Sequence, residues 1–228
     1  RRLDGFHNIS SLLTLIDITD GMSFKRTDKY IDLVESTPIK DNIVQKAAML
    51  LKENYGVSKG VTINLSKSIP DQKGLGGGSS NAASTLLCLN KLWDLDLTQL
   101  ELQSLALQLG SDVPFFIYGK TAWAEGRGEL LSSFQYRERF FILIFPDEKI
   151  NTKEAFNSFK IKDDVQLNKE NFHDDLSFNS FEKWARNKYS NINSLFKKFE
   201  SVGKPRLSGT GSTIFIEFDS EDKARLVL

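Results

Sequence analysis

Cysteine is all but missing from this 228-residue chain: Cys88 stands alone, so no intrachain disulfide can form. No apolar run approaches the length of a membrane span, and no signal-peptide pattern is visible at the start, so a reducing cytoplasm is the expected compartment. Net charge is missing too. Thirty basic and thirty acidic side chains cancel, so no bulk field recruits nucleic acid or an anionic membrane, and neither is an expected partner. Any anionic ligand must be held by local geometry. Internal repeats and low-complexity tracts are absent, and a 40% hydrophobic, 26% charged balance belongs to an ordinary globular chain. Cys88, beside Leu86, Leu87 and Leu89, reads as a small buried apolar residue.

Glycine is abundant in one place. Pro70, Asp71, Gln72, Lys73, Gly74, Leu75, Gly76, Gly77, Gly78, Ser79 and Ser80 form a run with four glycines in five positions. It lies between a β-branched stretch, residues 61–65, and a helical pattern that begins near Asn81. Glycine accepts positive φ and lets backbone amides approach a ligand without a Cβ in the way. A strand that feeds such a loop into a helix N-terminus presents unpaired N–H groups and the positive end of the helix dipole, which suits phosphate. Ser79 and Ser80 add hydroxyls that can cap the helix or reach a phosphate or Mg²⁺. The run fits neither the Walker pattern, since its one lysine precedes the glycines, nor the dinucleotide fingerprint, since Ser79 takes the third small position. A solvent-exposed glycine linker is the competing reading.

The rest of the chain alternates strands and helices without a strict βαβ rhythm, which favours the α+β class. A β-rich stretch covers residues 8–18, with Asp20-Gly21 as a turn. A helix is expected over residues 43–54, with Asp41 or Asn42 as N-cap and Gly56 as its stop. Thr98-Gln99-Leu100-Glu101 is a capping box for the helix after the glycine run, which should end at Gly110. Strands are expected over residues 121–125, 140–145 and 213–218, a short helix over 151–159 and a longer one over 176–199. Pro146-Asp147-Glu148 reads as a border between an N-terminal domain, residues 1–145, and a C-terminal one, residues 146–228. The charged stretch 160–175, with His173, reads as a solvated connection.

Several residues are ambiguous on local grounds. Asp112, between Gly110 and Pro114, has a well-defined direction because proline fixes the backbone and pushes Val113 toward an extended conformation. A kinase needs such a carboxylate for the attacking hydroxyl, but Ser-Asp-Val-Pro taken locally reads first as a turn cap. Phe6-His7 could stack on a base and bond its edge, or simply pack. Phe156 reads as a core contact. Ser208-Gly209-Thr210-Gly211-Ser212 is either a second anion nest or a hairpin turn.

Four segments taken together resemble the GHMP kinases: Pro70 to Ala83 with its Gly-Leu-Gly-Gly-Gly-Ser-Ser core, Arg2-Leu3-Asp4-Gly5-Phe6-His7, Leu109-Gly110-Ser111-Asp112-Val113-Pro114-Phe115, and Leu207-Ser208-Gly209-Thr210-Gly211. The match spans nearly the whole chain and points to the branch that acts on a cytidine-diphosphate-linked methylerythritol. The resemblance implies a ribosomal-protein-S5-like N-terminal domain, a ferredoxin-like C-terminal domain, and ATP with Mg²⁺. No protein ligand for the metal is named beyond Ser79 and Ser80 as candidates. It makes Asp112 the catalytic residue and the loop from Pro70 to Ser80, with Asn42 and Lys67, the ATP site. It makes Phe6, His7, Thr152, Phe156, Gly209 and Gly211 the substrate site, with Phe6 in place of the usual tyrosine. The family's catalytic lysine is expected upstream of Arg1, and the helix at the C-terminus is expected to continue. Other small-molecule acceptors (homoserine, mevalonate, a sugar) and a nucleotide-binding module without catalysis remain the alternatives.

Overall fold

The computed structural model describes residues 5–35, 39, 41–158, 168–170, 172 and 179–228. Arg2, Leu3 and Asp4 of the first motif, Phe159, His173, most of the connection 160–175 and the first residues of the 176–199 helix lie outside them. The chain divides into two compact units, Arg1–Ile69 with Gly76–Gln135, and Pro70–Leu75 with Tyr136–Leu228. The border expected at residue 146 therefore falls inside the second unit. The strand just before it, β7 (Phe140–Ile144), pairs antiparallel with β9 (Ile214–Phe218), and that ladder assigns it to the C-terminal unit. The glycine run also changes unit within itself, between Leu75 and Gly76.

The first unit holds two three-stranded sheets. One is antiparallel in the order β1 (Ile9–Leu13), β5 (Ala122–Gly126), β6 (Leu130–Ser133). The other is mixed: β4 (Gly60–Ser66) lies between β2 (Gly21–Thr27), antiparallel to it, and β3 (Ile31–Glu35), parallel to it. A parallel pair needs a crossover, and α1 (Ile43–Asn54) supplies it between β3 and β4. Register places Met22 opposite Leu65, Phe24 opposite Ile63 and Ile31 opposite Val61, so alternate residues form one apolar face. That face packs on Val44, Ala47, Ala48 and Leu51 of α1 and on Ala82, Ala83, Leu86 and Leu89 of α2 (Gly77–Leu92). Each leucine buried there contributes about 2 kcal/mol of transfer free energy. Cys88 is exposed, contrary to the sequence reading: Ala82, Leu86 and Leu89 define the inward stripe of α2, and position 88 falls off it. The thiol's pKa is raised by desolvation against neighbouring side chains, partly offset by Lys91.

α1 has the expected bounds, with the Asn42 side chain accepting from the Val44 amide. α3 (Gln99–Ala106) has the full capping box of Thr98 and Glu101 but ends before Gly110. α4 (Val113–Tyr118) replaces the extended Val113 expected from Pro114. Proline is acceptable in a first helical turn because no N–H is needed there, and burial of Val113, Pro114 and Phe115 outweighs the local preference.

The second unit runs β7, α5 (Thr152–Ser158), α6 (Glu182–Lys188), α7 (Ser190–Phe199), β8 (Arg206–Leu207), β9 and α8 (Glu221–Arg225). Its antiparallel sheet has the order β7-β9-β8, the first–third–second arrangement of a ferredoxin-like β-α-β-β-α chain. The long helix expected to end at Phe199 is two helices, broken at Tyr189, whose ψ of 105° is extended. Ile150, Ile192, Phe196, Leu207 and Ile214 make its core. No helix among the described residues is long and apolar enough to cross a membrane.

Candidate active site

The glycine run is not a loop throughout. Gly77, Gly78, Ser79 and Ser80 form the first turn of α2, with Gly76 as N-cap at φ +67°, four residues earlier than the apolar periodicity suggests. A Cβ on Gly76 would come within 2.8 Å of the Phe116 ring on α4, so this glycine lets the start of α2 press against the helix that follows Asp112. No side chain caps α2, and its first amides therefore point outward unpaired by a cap. The Nζ of Lys67 lies 3.4 Å from where a Cβ of Gly77 would stand, bringing a cation to the same helix end.

Asp20, read from the sequence only as a turn residue, organises this region. Its carboxylate accepts from Lys67 Nζ at 2.6 Å, from the amides of Ser68 at 2.6 Å and Ile69 at 2.8 Å, and from Asn81 Nδ2 at 2.8 Å. Burial pushes its pKa up, but these four donors outweigh burial and hold it below the ordinary carboxylate value. One buried side chain thus ties the end of β4 to the first turns of α2. Asn42 is also engaged: its amide donates to Glu35 Oε2 at 2.7 Å while its oxygen caps α1. Glu35 lines a cavity of about 490 Å³ with Gly21, Met22, Ser23, Val34, Asn64, Leu65 and Ser66.

Asp112 is the opposite case. It precedes α4 without a side-chain capping bond, and no hydrogen bond or ion pair reaches its carboxyl among the described residues. The side chain meets solvent, yet protein crowds it closely enough that desolvation raises its pKa. Phe6, half exposed, stacks under the Arg127 guanidinium, 3.6 Å from ring centroid to Cζ. His7 follows it at the entry to β1.

The remaining expected site residues belong to the second unit. Lys73 is buried, and its ammonium donates to the carbonyls of Pro146 and, at 2.9 Å, Glu148. Its charge is spent on backbone, so any service it gives a nucleotide comes through the chain it positions. Pro70, Asp71, Gln72, Gly74 and Leu75 share its unit. The Gly74 carbonyl accepts from Ser208 Oγ at 2.7 Å, and the Lys73 carbonyl from the Thr213 amide at 3.1 Å. Gly209 and Gly211 adopt φ of +55° and +94° in a loop pinned by Asn179, whose amide donates to Leu207 and Gly209 carbonyls. Thr152 and Thr210 share a hydroxyl–hydroxyl hydrogen bond at 3.2 Å, and Phe156 meets Phe181 edge to face, with centroids 4.8 Å apart. Asn179 and Phe181 carried no signal in the sequence.

A GHMP kinases N terminal domain model matches residues 42–120, and a GHMP kinases C terminal model matches 159–228. The chain is 38% identical to the 4-diphosphocytidyl-2-C-methyl-D-erythritol kinase of Paraburkholderia xenovorans, covering 100% of itself and 83% of that protein. It is 40% identical to the enzyme of that name from Wigglesworthia glossinidia brevipalpis, covering 100% of itself and 78% of the relative.

The chain belongs to the GHMP kinase family.

A crystal structure of 4-(cytidine 5'-diphospho)-2C-methyl-D-erythritol kinase superposes on the kinase with a TM-score of 0.81 at 29% identity, over 100% of this chain and 87% of that one. Methanococcus jannaschii mevalonate kinase shares the fold at a TM-score of 0.72 and 17% identity, covering 99% of this chain and 87% of that one. The kinase is therefore a phosphotransferase that uses ATP, with the S5-like and ferredoxin-like domains of its family. In that setting the uncapped start of α2 and the unpaired Asp112 carboxyl stand out among the described residues as features with chemistry to offer.

Proposed function

We propose that this kinase transfers the γ-phosphoryl group of ATP to the 2-hydroxyl of 4-diphosphocytidyl-2-C-methyl-D-erythritol, a step of the non-mevalonate isoprenoid precursor route that takes place in the cytoplasm. The observation that carries the substrate is the likeness, over the whole chain, to relatives of that name. Within the first unit, the amides of Gly77, Gly78 and Ser79 and the Lys67 ammonium offer fixed positive charge to the nucleotide phosphates. The cavity lined by Glu35, to which Asn42 is hydrogen-bonded, and by Ser66, the residue before Lys67, is large enough to admit the nucleotide's base. Asp112 accepts the hydroxyl proton as the oxygen attacks Pγ. The new O–P bond forms in line with cleavage of the bond from Pγ to the β,γ-bridging oxygen, and ADP departs with that electron pair. A carboxyl with a raised pKa is the better base for this, closer to working pH than an ordinary aspartate.

Mg²⁺ fits as a passenger on the nucleotide. No cluster of three or more metal-ligating side chains occurs among the described residues, while Ser79 and Ser80 offer hydroxyls at the phosphate end of α2. The ion offsets charge on the phosphoryl oxygens when bound. On the acceptor side, Phe6 and Phe156 are assigned to the faces of the cytosine ring, His7 to its edge, and Thr152, Gly209 and Gly211 to the groups that follow.

The test is an ADP-release assay on the cytidine-diphosphate substrate, methylerythritol phosphate, mevalonate and homoserine. Stacking is worth about 1–3 kcal/mol per base and a buried hydrogen-bond partner about 1–3 more. Removing the cytidine should therefore lower kcat/KM by at least about two orders of magnitude. Phe156→Ala should lower it less, mainly through KM, because stacking is present in ground and transition states alike. Comparable turnover of an acceptor without a base refutes the assignment.

A further inference from the structure

Arg127 stands where no sequence motif or family resemblance gives it a role. It sits at the tip of the β5–β6 hairpin between Gly126 at φ +67° and Gly128 at φ +118°. Its amide donates to the Glu129 carboxylate, and the Gly128 amide to the Glu125 carbonyl at 3.0 Å, so the tip is held by its own turn. A Cβ on Gly128 would come within 3.0 Å of the Ser111 carbonyl, which places the tip's backbone against the residue that precedes Asp112. Sequence spacing hides this, because Ser111 and Gly128 are seventeen positions apart while the fold closes the gap.

The side chain has one neighbour of note, the Phe6 ring, with Cζ 3.6 Å from its centroid. A cation over a ring is a favourable but modest contact. It leaves the guanidinium's hydrogen-bonding capacity unspent: Nε is buried and finds no acceptor, and no carboxylate pairs with Arg127 among the described residues. An N–H taken out of water without a partner is a cost that packing alone does not explain. A guanidinium prefers a planar anion that it can grip with two parallel bonds, and phosphoryl oxygens suit it. In a chain of zero net charge, this is also the kind of local cation that an anionic ligand requires.

We propose that Arg127 is a substrate-binding residue that grips the diphosphate bridge of the cytidine-bearing acceptor, while its stack on Phe6 fixes the distance between bridge and base. The proposal rests on the reading of Phe6 as a base-stacking residue. It makes the β5–β6 hairpin a third contributor to acceptor recognition, beside the Phe6-His7 segment and the Asp112 turn. The arginine also compensates for phenylalanine at position 6: the ring has no hydroxyl to tether it, and the guanidinium holds it instead.

The experiment measures binding of CDP and of cytidine by calorimetry, with the nucleotide site filled by a non-hydrolysable ATP analogue, for the parent enzyme and the variants Arg127→Met, Arg127→Lys and Phe6→Ala. Melting temperature and circular dichroism verify that each is folded. The parent should bind CDP at least about tenfold more tightly than cytidine, the scale of one or two charge-assisted bonds. Arg127→Met should lose that preference, weakening CDP about tenfold or more while cytidine changes less than about twofold. Arg127→Lys should keep part of it as a point charge. Equal weakening of both ligands by Arg127→Met would show that the arginine merely props the ring, and unchanged CDP affinity would show that it does not meet the diphosphate. Either result overturns the proposal. Phe6→Ala keeps the two readings apart: if it leaves cytidine binding unchanged, the base-stacking assignment fails, whatever Arg127 does.

Discussion

Two aspartates in the same unit have opposite surroundings, and the contrast separates scaffold from chemistry. Around Asp20, four donors converge on one carboxylate, the side chain is shut away from solvent, and the net effect is a lowered pKa. Around Asp112, no donor arrives, and crowding alone raises the pKa. A saturated carboxylate has no lone pair to lend and serves to hold strands and helices in place. An unsatisfied one is a stability cost that persists at a site where a proton must be moved. In the reaction proposed above, the first aspartate would shape the loop that receives the nucleotide, and the second would activate the hydroxyl.

The largest effect expected from this contrast is at Asp112. Asp112→Asn keeps the shape and removes the base, so kcat should fall about 10²- to 10⁴-fold, the range for general acid–base catalysis. Its stability should move the other way. A carboxyl whose folded pKa lies above its unfolded value favours the folded state when protonated, and that advantage is lost as pH rises through the folded pKa. The amide carries no such burden, so Asp112→Asn should melt higher than the parent at pH 7, and the gap should close at low pH. Turnover within a few-fold of the parent, or a melting point lowered at pH 7, breaks the contrast. In the parent, kcat should also fall as pH drops through the raised pKa, leaving the carboxyl protonated.

Asp20 comes second, with stability as its readout. Removing one partner of a buried ion pair costs about 3–5 kcal/mol, and Asp20→Ala also strands the amides of Ser68 and Ile69. The lowered pKa gives the sign of the pH dependence: the carboxylate's contribution is complete above the ordinary aspartate value of 3.8 and is lost as pH falls through the lower folded value. Denaturant titration at pH 7 and at pH 3 checks both parts. A loss under about 1 kcal/mol at pH 7 would mean that the four donors are redundant.

How much of this was legible in the sequence follows from the range of the interactions. α1, its Asn42 cap and the Thr98–Glu101 box were readable because caps and apolar periodicity act within a turn or two. The glycine run suggested an anion site but not its own structure: its last four residues are helical, and small side chains carry no apolar period to mark the start of α2. Strands β2 and β3 went unread. Met22, Phe24, Ile31 and Leu33 sit among charged neighbours, and only pairing with β4 selects their inward face. Asp20 looked like any residue before a turn glycine because its partners lie 47 to 61 positions away. Arg127 was invisible for the same reason. The unpartnered carboxyl of Asp112 was not legible from its own turn, since a missing hydrogen bond leaves no trace in a sequence; the role proposed for it came from the family pattern alone.

The smallest effect expected is at Gly78, and it tests why the region held by Asp20 is glycine-rich at all. Gly76 is explained by the fold, through its positive φ and the Phe116 ring. Gly78 is not: it has ordinary helical geometry in the first turn of α2, and a Cβ there would meet only Ile43, at a comfortable 3.8 Å. Alanine is the better helix former by about 0.5–1 kcal/mol, so Gly78→Ala should raise the melting temperature by about 1–4 °C. If the fold gains from alanine, glycine must serve something outside the fold, and close approach of phosphate to the helix amides is the natural candidate. The same variant should then raise the KM for ATP about tenfold while leaving that for the acceptor within about twofold. A stabilised variant with an unchanged KM for ATP would mean that the phosphates do not approach α2 at this residue, and would move the anion site toward Gly77 and Lys67.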